Sequence, residues 1–289
     1  MRILVFWYRT QEFRIRWGSV VSGTFSIYNG VKQGGVLSPY LFNIYMDKLS
    51  DSLCTNNKGC HIAVKCINHL LYADDIVLIC PSVKSLNSVL KTCSHYARSH
   101  DILFNASKSK CLCVLPNCCN ITRIPHVYID GVPLTFVKSH TYLGVVLNYL
   151  ANDGDDIRRQ MKTFYASANV LIRNFYNCSF AVKLYLFKAY CSAMYCAHLW
   201  SVFNKKSMNE IRVSYNNAFR ILLGIRCRIS ISQTFVNNCI MTFDSKQRTA
   251  RSRFYCRLNE SNNILIKSVL SFDVFQKSAL CKRVLADCF

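Results

Sequence analysis

The segment that most restricts how this chain can fold is the apolar run from Ile67 to Cys80, which is interrupted at its centre by Asp74-Asp75 and closed by Pro81. Two neighbouring carboxylates cannot be carried through the middle of a buried element without a large desolvation cost. The chain must therefore reverse at that point, and the run is predicted to be strand, tight turn, strand, with the two acids at the tip. Adjacent carboxylates on a hairpin flanked by apolar strands repel each other unless a cation sits between them. Their hard oxygens suit Mg²⁺. A solvated Asp-Asp turn has the same local sequence, so this tetrapeptide, Tyr72-Ala73-Asp74-Asp75, gains meaning only from its surroundings.

Upstream, Phe13-Arg14-Ile15-Arg16-Trp17 alternates apolar and basic residues, with Gly18, Gly23 and Gly30 after it, a pattern of strands joined by tight turns. Ser38-Pro39 offers an N-cap followed by a proline at the first helical position, and Phe42, Met46, Leu49 and Leu53 recur at helical spacing. A helix is predicted over Pro39–Leu53. Asn57-Lys58-Gly59 marks a turn. Residues 82–100 place Val83, Leu86, Leu90 and Cys93 on one helical face, while Cys111–Leu115, Val127–Ile129 and Tyr142–Leu147 read as strands. The first half is thus predicted to be α+β with an antiparallel sheet.

After Asp155-Asp156, two acids suited to a helix N-terminus, the period becomes helical, with Ile157, Met161, Phe164 and Ala168 in a stripe. Further helices are predicted over Ala181–Val202, Met208–Leu223 and Lys246–Leu258. This change of period divides the chain into residues 1–150 and 151–289. The most apolar stretch, Ala181–Phe203, contains Lys183 and Lys188 and suits a buried helix pair better than a membrane span.

The 36 Lys and Arg against 15 Asp and Glu give a formal charge of +21, which points to a polyanionic partner, with nucleic acid foremost. From Ile157 onward the chain carries 21 basic and 5 acidic residues, so the helical half holds most of the surplus. The 17 cysteines lack a regular framework. Cys111, Cys113, Cys118 and Cys119 have no paired Cys-x-x-Cys arms, so free thiols are expected rather than zinc or disulfides. The N-terminal apolar run is too short for a secretory signal, and an intracellular chain is expected.

Several blocks, in order, resemble the reverse transcriptases of non-LTR (LINE-type) retrotransposons. Tyr72–Asp75 looks like the family's metal-binding turn. Asn29-Gly30-Val31-Lys32-Gln33-Gly34-Gly35-Val36-Leu37-Ser38-Pro39-Tyr40-Leu41-Phe42-Asn43 is similar to its template- and nucleotide-contacting block, Phe104–Lys110 to the segment whose lysine lies near the triphosphate, and Tyr142-Leu143-Gly144-Val145 to its primer-grip turn. Ser214–Gly224 resembles the thumb helices. The resemblance covers nearly the whole chain. It implies a right-hand polymerase palm, partial and N-terminally truncated, over residues 1–150, followed by a helical thumb and C-terminal extension over 151–289.

By that resemblance Asp74 and Asp75 are the metal ligands of a two-metal Mg²⁺ site that activates a primer hydroxyl and stabilises the leaving pyrophosphate. Lys108 neutralises the leaving phosphate, in preference to Lys110. Gln33 and Gly34 shape the nucleotide pocket, Tyr72 packs near the primer terminus, and Tyr142, Leu143, Gly144, Arg220, Arg226 and Arg228 contact nucleic acid, with Arg212 nearby. The implied partners are an RNA template, a DNA primer and deoxynucleoside triphosphates, and the implied compartment is the nucleus.

The pattern departs from the family in one respect. The family's third carboxylate lies on a strand well before the template-contacting block, whereas the only acid here before Asp47 is Glu12. Asp47 and Asp51 lie on the predicted helix. The expectation is a chain missing the N-terminal part of its parent polyprotein and inactive on its own. The alternative is a non-catalytic nucleic-acid-binding remnant.

Overall fold

A computed structural model describes residues 2–27, 30–62, 64–115, 124–191 and 194–288. Asn29, Cys118 and Cys119, named above, lie outside them. The chain divides into two compact units, Met1–Cys60 with Cys66–His100, and His61–Lys65 with Asp101–Phe289. Helices and short strands share the chain, the expected α+β class.

The first unit opens with helix α1 (Arg2–Arg9), followed by β1 (Glu12–Phe13), β2 (Arg16–Trp17), β3 (Val20–Val21) and β4 (Phe25–Ser26). β2 pairs with β3 and β1 with β4, both antiparallel, so the alternating segment forms two nested pairs. Gly18 makes the inner turn at φ +61°. Helix α2 (Ser38–Asn56) buries Met46, Leu49 and Leu53, as its spacing predicts, and ends at Asn57 in the left-handed region. One expectation fails. Ser38 caps nothing: its hydroxyl donates to the Lys32 carbonyl at 2.5 Å, tying the preceding loop to the helix instead.

After β5 (Cys60–Ile62) and β6 (Lys65–Ile67) come β7 (His69–Tyr72) and β8 (Asp75–Leu78), paired antiparallel, and then α3 (Val83–Ser99). Ser82 caps α3 by accepting the Ser85 amide at 3.2 Å, and Val89, Leu90, Cys93, Tyr96 and Ala97 form its buried face. The buried Asn68 amide donates to the Leu53 carbonyl at the end of α2. His69 continues this link, with Nε2 2.8 Å from the Ser50 hydroxyl. The hairpin is thereby anchored to α2 at its base, leaving its tip exposed.

In the second unit, β9 (Lys110–Leu112) pairs with β12 (Thr135–Val137) in parallel, which the expected antiparallel sheet did not include. β10 (Tyr128–Ile129) and β11 (Val132–Pro133) form a hairpin through Asp130-Gly131, both at positive φ. Tyr142–Leu147 is a turn between β13 (Ser139–Tyr142) and β14 (Val145–Asn148), not one strand. The change of period near residue 150 falls inside this unit.

Helix α4 (Gly154–Asn174) follows, burying Ile157, Phe164 and Ala168. The predicted helix over Ala181–Val202 is broken. α5 (Phe180–Leu186) runs into a π turn at Phe187–Cys191, and a separate 3-10 turn covers Ala197–Leu199. At the end of this stretch the carboxylate of Asp153 accepts the amides of Ser201 and Val202 at 2.6 and 2.7 Å and holds those two residues out of a helix. Helices α6 (Lys205–Leu223), α7 (Ile231–Asn237), α8 (Phe243–Glu260), α9 (Ile264–Ser271), α10 (Asp273–Gln276) and α11 (Ala279–Cys288) complete the unit. Its core is aromatic: Phe187 meets Phe219 edge-on at 5.0 Å, and Phe219 meets Phe235 at 4.7 Å, among Tyr215 and Trp200. Among the described residues no helix is long and apolar enough to cross a membrane.

Candidate functional site

In the first unit the β7–β8 register places Tyr72 opposite Asp75, so Ala73-Asp74 is a two-residue loop. Ala73 takes φ +52°, a conformation that a residue with a Cβ adopts at a cost of about 1 kcal/mol. That cost, together with the repulsion of two carboxylates, is borne at the tip of a hairpin fixed at its base by Asn68. Asp74 and Asp75 are exposed, and Tyr72 is 63% exposed beside them. The predicted turn is therefore present, with both acids presented outward.

The donors are of the right type for Mg²⁺ but too few. Among the described residues no group of three or more His, Cys, Asp or Glu side chains is placed to hold a metal ion. The set falls short of the two-metal site that the resemblance implies, and no catalytic step can be derived through a metal here. The described cysteines are free thiols.

Gln33 and Gly34 lie in the loop before α2, where Gly34 takes φ +78° and a Cβ on it would meet nothing within 4 Å. Backbone conformation, not crowding, asks for glycine there. Gly35 is different: a Cβ would come within 2.6 Å of the Ser38 hydroxyl and 3.2 Å of the Lys32 carbonyl, so a side chain at 35 would displace the Ser38 hydroxyl from its bond to Lys32.

The remaining predicted site residues belong to the second unit. Lys108 is exposed on a loop turned by Asn105, whose side-chain carbonyl accepts the Lys108 amide at 3.0 Å. Lys110 is committed elsewhere, its Nζ donating to the Ser107 carbonyl at 2.8 Å. Arg220 donates to the Arg226 carbonyl at 3.0 Å, closing the loop after α6 behind Gly224 at φ +67°. Arg226 and Arg228 are exposed on that loop.

At the Tyr142–Val145 turn, Leu143 and Gly144 both have positive φ, the pattern that matches the twist of a two-residue hairpin. Tyr195 holds it, its hydroxyl donating to the Leu143 carbonyl at 3.0 Å. Its ring lies so close that a Cβ on Gly144 would sit 2.8 Å from it. Beside the turn opens a cleft of about 580 Å³ whose lining includes Gly144, Arg159, Gln160, Tyr195, Lys246 and Arg253. Burial pulls the Lys246 ammonium down to about 8.

The hairpin is fixed from below by residues that sequence reading treated only as helix-terminal acids. Asp156 is buried and accepts the Val146 amide at 3.1 Å, the Arg159 guanidinium at 2.7 Å and the Trp200 indole at 2.8 Å. Asp155 accepts from Asn148, and that bond, ahead of Arg158, holds its carboxyl below the usual range. Asp153 is pushed up by burial, against the pull of the two amides it accepts. Tyr195, Asp156 and Trp200 were missed because their partners are 44 to 52 residues away and no local spacing marks them.

Residues 4–147 match the family described as reverse transcriptase (RNA-dependent DNA polymerase). The chain is 24% identical over 277 residues to a probable RNA-directed DNA polymerase from transposon X-element of Drosophila melanogaster, covering 90% of this chain and 29% of that protein. It is 35% identical over 125 residues to a retrovirus-related Pol polyprotein from type-1 retrotransposable element R2 of Popillia japonica, covering 41% and 17%. To the RNA-directed DNA polymerase from mobile element jockey of Drosophila funebris it is 22% identical over 255 residues, covering 82% and 26%. The chain thus spans less than a third of the length of each of these relatives.

Proposed function

We propose, from the premise that this chain belongs through residues 4–147 to the reverse transcriptase family, as a domain of the non-LTR retrotransposon type, that it supplies the catalytic turn and nucleic-acid grip of an RNA-directed DNA polymerase and does not polymerise by itself. The observation that carries this reading is the Tyr72–Asp75 hairpin, with Ala73 held at positive φ and two carboxylates exposed at an anchored tip. On this reading residues 1–150 are palm and 151–289 thumb with a C-terminal extension. Gln33 and Gly34 border the nucleotide, Tyr72 borders the primer terminus, and Lys108 meets the triphosphate. The Leu143–Gly144 turn, stiffened by Tyr195, supports the primer, and Arg226 and Arg228 contact phosphates without reading sequence. Asp74 and Asp75 would be the Mg²⁺ ligands that this turn contributes, too few by themselves for a catalytic site. The shortage of a further donor supports the absence of polymerisation and leaves this chain with binding alone.

The test is primer extension on an RNA template by the 289-residue chain with Mg²⁺ and deoxynucleotides, beside Asp74→Asn, with hybrid binding measured on the same preparations. The expected result is hybrid binding by both proteins and extension by neither. Extension abolished by Asp74→Asn would keep the turn but overturn the inactivity, whereas extension indifferent to the substitution, or no binding at all, would overturn the assignment.

A further inference from the structure

At the base of the β7–β8 hairpin, away from its acidic tip, three side chains stand in line. The Ser50 hydroxyl, on helix α2, lies 2.8 Å from His69 Nε2, and His69 Nδ1 lies 2.6 Å from the Asn68 side-chain oxygen. The protons in this line can be placed. The Asn68 amide nitrogen donates to the Leu53 carbonyl, so it is the other end of that amide, an acceptor without hydrogens, that meets Nδ1. Nδ1 therefore carries the ring proton of the neutral imidazole, which leaves the lone pair of Nε2 aimed at the Ser50 hydroxyl.

Burial pulls the His69 imidazole below its usual value of 6.5, so the neutral form predominates at neutral pH. A hydroxyl within hydrogen-bond reach of a neutral imidazole, whose far nitrogen is held by a third group, is the arrangement that activates a serine nucleophile. Each member is also fixed from outside the line. Ser50 sits within helix α2, His69 is paired with Leu78 across the hairpin, and Asn68 is buried against the end of α2. Ser50 and His69 are partly exposed and Asn68 is buried, the order that suits a nucleophile, its base and an orienting group.

We propose that Ser50 is an acylation site, a serine nucleophile with His69 as its base and Asn68 as a positioning residue, and that it takes neutral activated esters. The Ser50 Oγ bonds to the ester carbonyl carbon while its proton passes to His69 Nε2. The ester C–O bond then breaks, its electron pair leaves on the alcohol oxygen, and that oxygen takes the proton from Nε2. Charge sets the class of ester. Asp47, exposed on α2 and three residues before Ser50, lies on the neighbouring surface of the helix and disfavours esters that carry a phosphate or a carboxylate. The product is an acyl-serine whose hydroxyl no longer bonds His69, at the place where the hairpin bearing Asp74 and Asp75 is tied to α2. The inference goes beyond the polymerase reading and does not depend on it, since it rests on the contacts between α2 and β7 alone.

The test treats the full 289-residue chain with p-nitrophenyl acetate and follows acetylation of individual serines by peptide mass mapping. Ser52 is the internal reference, because it is exposed on the same helix and its hydroxyl donates to the Lys48 carbonyl at 2.8 Å rather than to an imidazole. Assistance by a positioned base contributes about a hundredfold or more, so Ser50 is expected to acetylate about a hundredfold faster than Ser52. His69→Gln, with its melting temperature unchanged, should bring Ser50 down to the Ser52 rate. Equal rates at the two serines in the wild-type chain would overturn the proposal, as would a Ser50 rate indifferent to His69→Gln. A pH series on the wild-type chain needs no variant. The Ser50 rate should be level at neutral pH and fall only below pH 6.5, as the imidazole takes up a proton. A rate that instead rises in proportion to hydroxide through the alkaline range would mean that the hydroxyl ionises without His69, and would overturn the role of the base.

Discussion

Among single residues, Asp156 and Asp155 are neighbours with opposite weights. Asp156 is buried with three donors converging on it, whereas the Asp155–Arg158 pair is exposed. Removing one member of a buried, hydrogen-bonded charge network leaves the others desolvated and unpaired, at a cost of about 3 kcal/mol, while an exposed pair contributes under about 1 kcal/mol. Chemical denaturation of Asp156→Ala should show the larger loss and Asp155→Ala the smaller. Equal losses would mean that the Trp200–Asp156 link does not hold β14 to the helical layer. The sequence marked both residues only as acids at a helix N-terminus, because a bond spanning 44 positions leaves no periodic trace. Asp74 and Asp75 were legible for the opposite reason. Their disagreement with the apolar residues around them is entirely local.

The two candidate-site hairpins differ at the level of elements in how they are held. The Ala73-Asp74 loop leans on its base, through Asn68 and the end of α2, and its tip is open. The Leu143-Gly144 loop is clamped at its tip by Tyr195. Gly144→Ala should therefore cost more than Gly131→Ala. Both glycines have positive φ, worth about 1 kcal/mol, but only Gly144 has a ring within 2.8 Å of the added methyl position, while Gly131 has nothing within 4 Å. Thermal denaturation of the two variants checks this, and equal shifts would remove the clamp from the account. Helices α2, α3, α4 and α6 were readable because their apolar residues repeat at helical spacing. The break after α5 was not, since Ala181–Val202 is mostly apolar with no proline or glycine to mark a stop, and the Asp153 contacts at its end come from another element. Nor was the β9–β12 pairing, because parallel neighbours need a crossover that short apolar runs do not announce.

For the whole molecule, the formal charge of +21 sets the terms on which partners are met, and its concentration after Ile157 matches the basic lining found in the helical unit. Charge of this kind favours any phosphate polymer and specifies none. The chemistry is therefore sought in a feature that positive charge does not explain, the pair of exposed acids at the β7–β8 tip. On the proposed reading this tip is a cation site short of donors. The most direct measurement is a Mn²⁺ titration followed by paramagnetic broadening of the Ala73 amide in the 289-residue chain and in Asp74→Asn. It predicts weak binding, on the order of millimolar, that disappears in the variant. Micromolar binding would reveal a donor set completed from elsewhere in the chain, and broadening indifferent to Asp74→Asn would contradict the assignment of the turn as a metal-binding site.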